Sequence, residues 1–346
     1  MFSALLAQIE NDLGEVKLIV EWQEKLRSTI YSTGAAPPPL AIAGPAVDTM
    51  RAQAPKKVPW QIFDHCAAIS RIYALYEKAI SDIVELYLSL LPKVFPNYAD
   101  LAEKLRVQHR TGVGQILIKW SLTHPLFGGI SEADIASGLA DGLRAKPYGL
   151  LGDAFLLDPG NLRTSALLRL FNGLGFENCF GWVRKHKPVC DFCVAKLAGT
   201  DTADSFLDSF VRIRNEAAHG HIANIAGAGL LADYADFVLV VVDALASLLR
   251  TELVHAGIRS KSSVLVGEVL HTWSNNIAGV RSSCDERISV GDRLYGGKKV
   301  IEVLTVQSLR IHATDHPSLL LKNALEFGIR FDKPLSEGAI IYRWKG

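Results

Sequence analysis

Arg214, Asn215 and His219 fall within one short stretch, DSFVRIRNEAAHG, running from Asp208 to Gly220. Apolar Phe210, Val211, Ile213, Ala217 and Ala218 alternate with them in a pattern that predicts an amphipathic helix. At about 100° per residue, Asn215 and His219 lie four apart and share a face, with Arg214 on its flank. An imidazole moves a proton near neutral pH, and a guanidinium presents a fixed fork of donors to the charge of a phosphorane. Those two groups are what cleavage of a phosphodiester requires. His221, two residues further on, is a second candidate proton carrier, or else a cap or a solvated side chain. A structural or binding role for the same residues is the competing reading of the spacing.

A second constellation invites a metal. Cys190-Asp191-Phe192-Cys193 is a CxxC with His186 and Cys179 just upstream, so four potential zinc ligands lie close together. Structural zinc sites usually pair two such knuckles, and the chain has one. No βαβ pattern surrounds it, which argues against a thioredoxin-like role. The expectation is a reduced, buried pair without metal, and no cofactor is implied elsewhere. No GxxxxGK[ST] loop occurs, which excludes a GTPase of that class.

The elements that must position these residues are mostly helices. Leu5, Leu6, Ile9, Leu13, Val16, Ile19, Val20 and Leu26 recur at three- and four-residue steps over residues 1–30. A Pro-rich connection, expected to be extended, follows over 31–59 with the run Pro37-Pro38-Pro39. Trp60 to Leu91 then reads as one long amphipathic helix stopped by Pro92, with Ala99–Leu122, Ser131–Leu143, Thr164–Leu174, Thr202–Ala218 and Gly227–His255 as further helices. After Gly257 the period changes. Short β-branched runs at Val264–Trp273, Val300–Val306 and Ala339–Trp344, with turns expected at Gly291-Asp292, Gly296-Gly297 and Glu337-Gly338, predict a small antiparallel β-barrel. The expected fold is therefore multidomain, an α-helical domain over 1–256 and a β-barrel over 260–346.

Composition bounds the class. With 346 residues, 49% hydrophobic and 21% charged, the chain is globular and long enough for two domains. Five scattered cysteines make no disulfide framework and point to a reducing compartment. The N-terminus lacks the basic region of a secretory signal, and the most apolar run, Phe237–Val242, is too short for a bilayer, so a soluble cytoplasmic protein is expected. The net charge of +1 hides an asymmetry: residues 257–346 carry 13 Lys and Arg against 9 Asp and Glu, and the rest 24 against 27. That bias is compatible with a polyanion partner.

The segment RNEAAH resembles the Arg, Asn, any three, His signature of the HEPN superfamily, all-α domains of prokaryotic defence and toxin systems, many of them metal-independent RNases. ISRIYALYEKAI, with Ile69, Tyr73, Tyr76 and Glu77, resembles the long early helix of those domains, and NLRTSALLRLFNGLGFE the segment before the motif helix. The likeness spans roughly Trp60 to Ala256. The order VGEVLHTW, ISVGDRLY, VLTVQSLRI, LEFGIRFDKPLSEGAIIYR resembles the barrel that is the second domain of translation elongation factors.

These resemblances imply a HEPN bundle followed by the barrel and a metal-independent RNA endonuclease of a defence or toxin system. In it His219 moves the proton between the RNA 2′-hydroxyl and the leaving 5′-oxygen, Arg214 stabilises the phosphorane, Asn215 holds the geometry and Glu77 pairs with Arg214. The barrel implies contact with tRNA or ribosomal RNA. One motif supplies a single His, so a homodimer is the economical way to two proton carriers; an antitoxin or defence partner is also implied. Two other readings stay open: a non-catalytic RNA- or ribosome-binding protein, and a HEPN module for dimerisation or partner binding.

Overall fold

The computed structural model describes residues 1–31, 44–120, 131–157, 161–197, 202–220, 222, 224–274 and 276–345. Eleven α-helices among them precede nine strands. The helices are α1 (Ser3–Tyr31), α2 (Gly44–Gln53), α3 (Lys57–Val94), α4 (Glu103–Trp120), α5 (Glu132–Leu143), α6 (Asp153–Leu156), α7 (Thr164–Gly173), α8 (Cys179–Val183), α9 (Lys187–Lys196), α10 (Ala203–His219) and α11 (Ala228–Arg259). The strands are β1 (Ser263–Ser274), β2 (Ile277–Ser282), β3 (Arg287–Ser289), β4 (Arg293–Gly297), β5 (Glu302–Ile311), β6 (Thr314–His316), β7 (Ser318–Leu320), β8 (Glu326–Phe331) and β9 (Ile340–Trp344). No described helix is long and apolar enough to cross a membrane.

Two compact units divide the chain. The first comprises Met1–Ile83, Asp158–Phe171 and Glu177–Ala244, the second Val84–Leu157, Asn172–Phe176 and Leu245–Gly346, so α3 and α11 each supply residues to both. In the first unit α3 buries Ile69, Ile72, Tyr73, Tyr76, Ile80 and Ile83 at three- and four-residue steps. Aromatic rings fill the space beside it: Phe206 lies 4.8 Å from Tyr234 and 4.9 Å from Phe237, and Phe210 lies 5.2 Å from Tyr234, centroid to centroid. Burial of rings of this size dominates the core's energetics, with edge and offset contacts adding about 0.5–1.5 kcal/mol each.

Several boundaries differ from the sequence expectation. Within the expected extended connection, Gly44–Gln53 is helical and α3 already begins at Lys57. Pro59 is no obstacle there, because a first-turn residue needs no N–H donor. Pro92 does not stop α3 either. Its missing N–H costs one bond, but Phe95 N–H still donates to Leu91 C=O at 2.8 Å, and the last turn survives. Residues 32–43, with the triple proline, lie outside the described residues. Helices α6 and α8, of four and five residues, are too short to show a period, and α9 buries only Val189 and Phe192.

The second unit contains the barrel. Its strands run in the order β4, β9, β1, β2, β8, β5, and β5 pairs back onto β4, closing six antiparallel strands; β6 extends β5, and β3 pairs with β7 separately. Val266, Val280, Leu294, Leu304, Val306, Leu309, Ile329, Phe331 and Ile341 fill the interior. Gly291 and Gly338 adopt left-handed backbone at turns, as expected. Gly296 and Gly297 instead lie inside β4, where a side chain on Gly296 would meet Leu304 Cδ1 at 2.6 Å and one on Gly297 would run into the Val300 carbonyl. Their glycines serve close packing. The last turns of α11 join this body: Arg250 Nε donates to Ile301 C=O at 2.7 Å, and Thr251 Oγ1 accepts from Ile301 N–H at 3.1 Å.

Candidate functional site

Helix α10 presents the motif, and its ends are fixed by short-range chemistry. Thr202 caps the start reciprocally with Ser205: the Thr hydroxyl accepts from Ser205 N–H at 3.3 Å and Ser205 Oγ accepts from Thr202 N–H at 2.9 Å. Gly220 ends the helix one residue after His219 with φ 73°, and its N–H returns to Glu216 C=O. A left-handed terminus of this kind favours glycine, the one residue without a Cβ.

Arg214 is partly buried and held from three directions. Its Cζ sits 3.7 Å from the centroid of the Tyr73 ring. One terminal nitrogen donates to Asn161 Oδ1 and to Asn215 Oδ1, both at 2.9 Å. The other approaches Glu77 at 3.8 Å, too far for a hydrogen bond, with the two side chains 24% and 38% exposed. Magnitudes rank these contacts. A partly desolvated cation over a ring is worth about 1–2 kcal/mol, whereas an ion pair this long and this wet contributes about 0–1. The ring and the two amides orient the guanidinium, and Glu77 is a secondary contact.

The support behind Tyr73 is tightly bonded. Tyr73 Oη accepts from Leu162 N–H at 3.0 Å, and Tyr76 Oη donates to Leu162 C=O at 3.0 Å. Asp208 Oδ1, on α10 itself, accepts from Thr164 N–H at 3.0 Å. Segment 161–164 is thus clamped between α3 and α10, which is what delivers Asn161 to Arg214. Burial, and after it the hydrogen bond to Glu77, push the Tyr73 hydroxyl well above the ordinary phenol range, so it stays protonated.

His219 is exposed in the last turn, and its imidazole makes no hydrogen bond or ion pair with a described residue. Five positions of helix place it about 7.5 Å along the axis from Arg214 and about 140° around it. Arg214 turns inward to Tyr73 while His219 faces outward, so one copy of α10 does not bring imidazole and guanidinium together. Asn215 touches Arg214 directly. His221 lies outside the described residues. Of the guanidinium's five hydrogens, those on Nε and on the second terminal nitrogen make no hydrogen bond with a described residue and remain for an anion.

The cysteine constellation disperses. Cys179 is buried with its thiol towards Leu167 C=O at 3.8 Å, and burial raises its pKa to about 12. His186 pairs with Asp243 at 2.9 Å. Cys190 and Cys193 lie three apart on α9, the first exposed and the second half-buried, contrary to the expected buried pair. A proline sits in the first turn of α9, the CxxC is helical, and the exposed Cys190 thiol donates to Arg184 C=O at 3.1 Å. No group of three His, Cys, Asp or Glu gathers among the described residues.

Sequence reasoning did not select Asn161 as a site residue, nor Tyr73 as the seat of Arg214. A signal existed for the second: Tyr73 and Glu77 are four apart on α3 and share the face that meets Arg214.

A helical body presenting Arg214, Asn215 and His219 on one helix, packed against a long aromatic-bearing helix, is of the HEPN class. The family described as RiboL-PSP-HEPN matches residues 47–251, and the chain belongs to it. No curated protein and no solved structure matches the chain.

Proposed function

We propose that the chain is a metal-independent RNA endonuclease of a defence or toxin system, acting as a homodimer. Membership of a HEPN family supports an RNA-directed role in general terms. The observation that carries the finer reading is the seat of Arg214, a guanidinium immobilised on Tyr73, Asn161 and Asn215 with donors to spare, five residues before an exposed imidazole.

In this reading His219 takes the proton from a ribose 2′-hydroxyl and the 2′-oxygen attacks the adjacent phosphorus. The phosphorane's charge falls on Arg214, and the P–O5′ bond breaks as an imidazolium returns a proton to the leaving oxygen. Products are a 2′,3′-cyclic phosphate and a 5′-hydroxyl. Because each α10 offers one His directed away from its own Arg, two copies meeting at their motif helices supply both base and acid. The barrel holds the RNA, with tRNA or ribosomal RNA as the targets its likeness suggests, and an antitoxin or a defence-system component restrains the nuclease.

Cleavage of a total RNA pool in EDTA, followed on a gel, tests this. His219→Ala and Arg214→Ala should each cut about 10²–10⁴-fold more slowly while retaining wild-type circular dichroism. Activity lost in chelator and restored by magnesium would overturn the metal-free chemistry. RNA bound but left intact by the wild type would point to the non-catalytic binding role.

A further inference from the structure

Four neighbouring strands of the barrel, β1, β2, β8 and β5, carry one row of directly opposed residues: His271, Gly279, Gly328 and Arg310. Two glycines side by side leave the centre of this outward sheet face without side chains. Glycine weakens a strand, and it is found where another group must approach the backbone closely. The row beside it places Ile277 opposite Arg330, and Arg330 opposite Ser308. Over both rows opens a cleft of about 820 Å³.

Trp273 forms one wall and is 69% exposed. The six-membered part of its indole lies on Gly279, where an added Cβ would meet ring carbons at 2.8 and 3.0 Å. That contact covers one glycine only. At Gly328 an added Cβ would find Arg310 Cβ at 3.6 Å as its nearest neighbour, so the floor there is open.

The charges of the cleft are largely settled among themselves. Arg310 grips Asp315 in a two-point pair at 2.7 and 3.2 Å, and Arg281 grips Glu326 at 2.8 and 3.2 Å. Arg330 has no ion pair among the described residues and leaves the cleft with an uncommitted positive charge. At the rim, the two-residue turn between β5 and β6 puts His312 and Ala313 at φ 46° and 66°. Such turns normally carry Asn-Gly, and left-handed backbone at ordinary side chains collects at binding sites.

An exposed aromatic plane, a floor of bare peptide and a free guanidinium beside them match a flat π-system bearing an anion. We propose that this face binds an unpaired nucleotide of single-stranded RNA, its base stacked on Trp273 above Gly328 and its phosphate on Arg330. An apolar peptide in the same place would strip water from Arg330 without giving it a partner. A base inside a duplex has no free face to offer. The assignment rests on the reading that the chain acts on RNA, and it adds which part of the target the barrel holds.

The test uses the full chain and a fluorescent, unpaired 2′-O-methyl oligoribonucleotide, which cannot undergo 2′-hydroxyl attack, with binding read by anisotropy. Trp273→Ala should weaken binding about tenfold or more, since stacking on an aromatic side chain is worth that much per base. Gly328→Val adds a Cβ whose nearest neighbour is Arg310 Cβ at 3.6 Å and sets a branched side chain on the floor, and should weaken binding comparably. Arg330→Ala should lower the log–log salt slope by about 0.7, the value for one phosphate contact on a single strand. Both cleft variants should retain wild-type circular dichroism, because Trp273 and Gly328 lie on the outer face. Affinity within twofold of wild type in Trp273→Ala or Gly328→Val would overturn the proposal, as would an unchanged salt slope in Arg330→Ala. A wild-type protein that cuts no RNA defeats the nuclease reading and leaves this comparison standing, so the two can fail separately.

Discussion

The seat of Arg214 can be taken apart at Tyr73, because the hydroxyl and the ring do different things. Tyr73→Phe removes only the oxygen, which accepts from Leu162 N–H at 3.0 Å and is hydrogen-bonded to Glu77, and Leu162 is 2% exposed. An orphaned buried N–H costs about 1–3 kcal/mol, and that is the expected loss of stability in urea unfolding. The ring stays under the guanidinium, so RNA cleavage should change by no more than a few-fold. Tyr73→Leu also removes the ring 3.7 Å below Arg214 Cζ. A further ~1–2 kcal/mol should go with the cation–π contact and a comparable amount with the packing of a ring only 1% exposed, and cleavage should slow about tenfold as the guanidinium loses its platform. The clean measurement is a double-mutant cycle of Tyr73→Leu with Arg214→Ala, which should give a coupling of about 1–2 kcal/mol in unfolding. Coupling below about 0.3 kcal/mol would refute the idea that the ring positions the arginine, whatever the single variants do.

Three further outcomes are expected. His109 is fully buried, its Nε2 accepting from Leu151 N–H at 3.3 Å, and burial lowers its pKa to about 4. The unfolded chain therefore binds that proton more tightly, and stability is lost as pH falls from 6.5 towards 4: about 2 kcal/mol less at pH 5 than at pH 7.5, with the slope reduced in His109→Gln. Ala313→Gly relieves one left-handed position and should stabilise the protein by about 0.5–1 kcal/mol, the saving in strain less glycine's entropy, seen as a higher urea midpoint. In the native protein a maleimide should label exposed Cys190 rapidly and leave Cys179 untouched until urea is added; equal rates on mass spectrometry would contradict the burial that holds the Cys179 thiol protonated.

What could be read from the sequence was what short-range rules determine. The motif helix was legible because Thr202, Ser205 and Gly220 punctuate an apolar period, and α3 because Ile69, Ile72, Tyr76, Ile80 and Ile83 repeat on one face. The barrel showed itself in β-branched runs separated by turn glycines. Asn161 was not legible as a partner of Arg214, since the two are 53 residues apart and meet only through the clamp at Leu162 and Thr164. The outer row of His271, Gly279, Gly328 and Arg310 depends on the register of three strand pairings, and a shift of one residue would have turned those glycines into the barrel. Gly296-Gly297 was misread as a turn because a glycine that admits a close neighbour and one that reverses the chain look alike in sequence. Cys190 and Cys193 suggested a knuckle only while their helical spacing was unknown.

Closure of the barrel has a consequence for how it is made. Of the nine strands, β9 is the last to be synthesised, yet it lies between β1 and β4 and pairs with both. Until Ile340–Trp344 arrives, the sheet β1, β2, β8, β5, β4 can assemble only as an open ribbon with two unpaired edges. Such edges recruit other chains. That ribbon is complete only when β8 ends at Phe331, and at about 5–20 residues per second the roughly 13 residues from there to Trp344 leave its edges open for about 0.7–3 s. A premature stop or a proteolytic nick just before residue 340 would make that interval permanent, so the loss of β9 should convert a closed barrel into a template for aggregation.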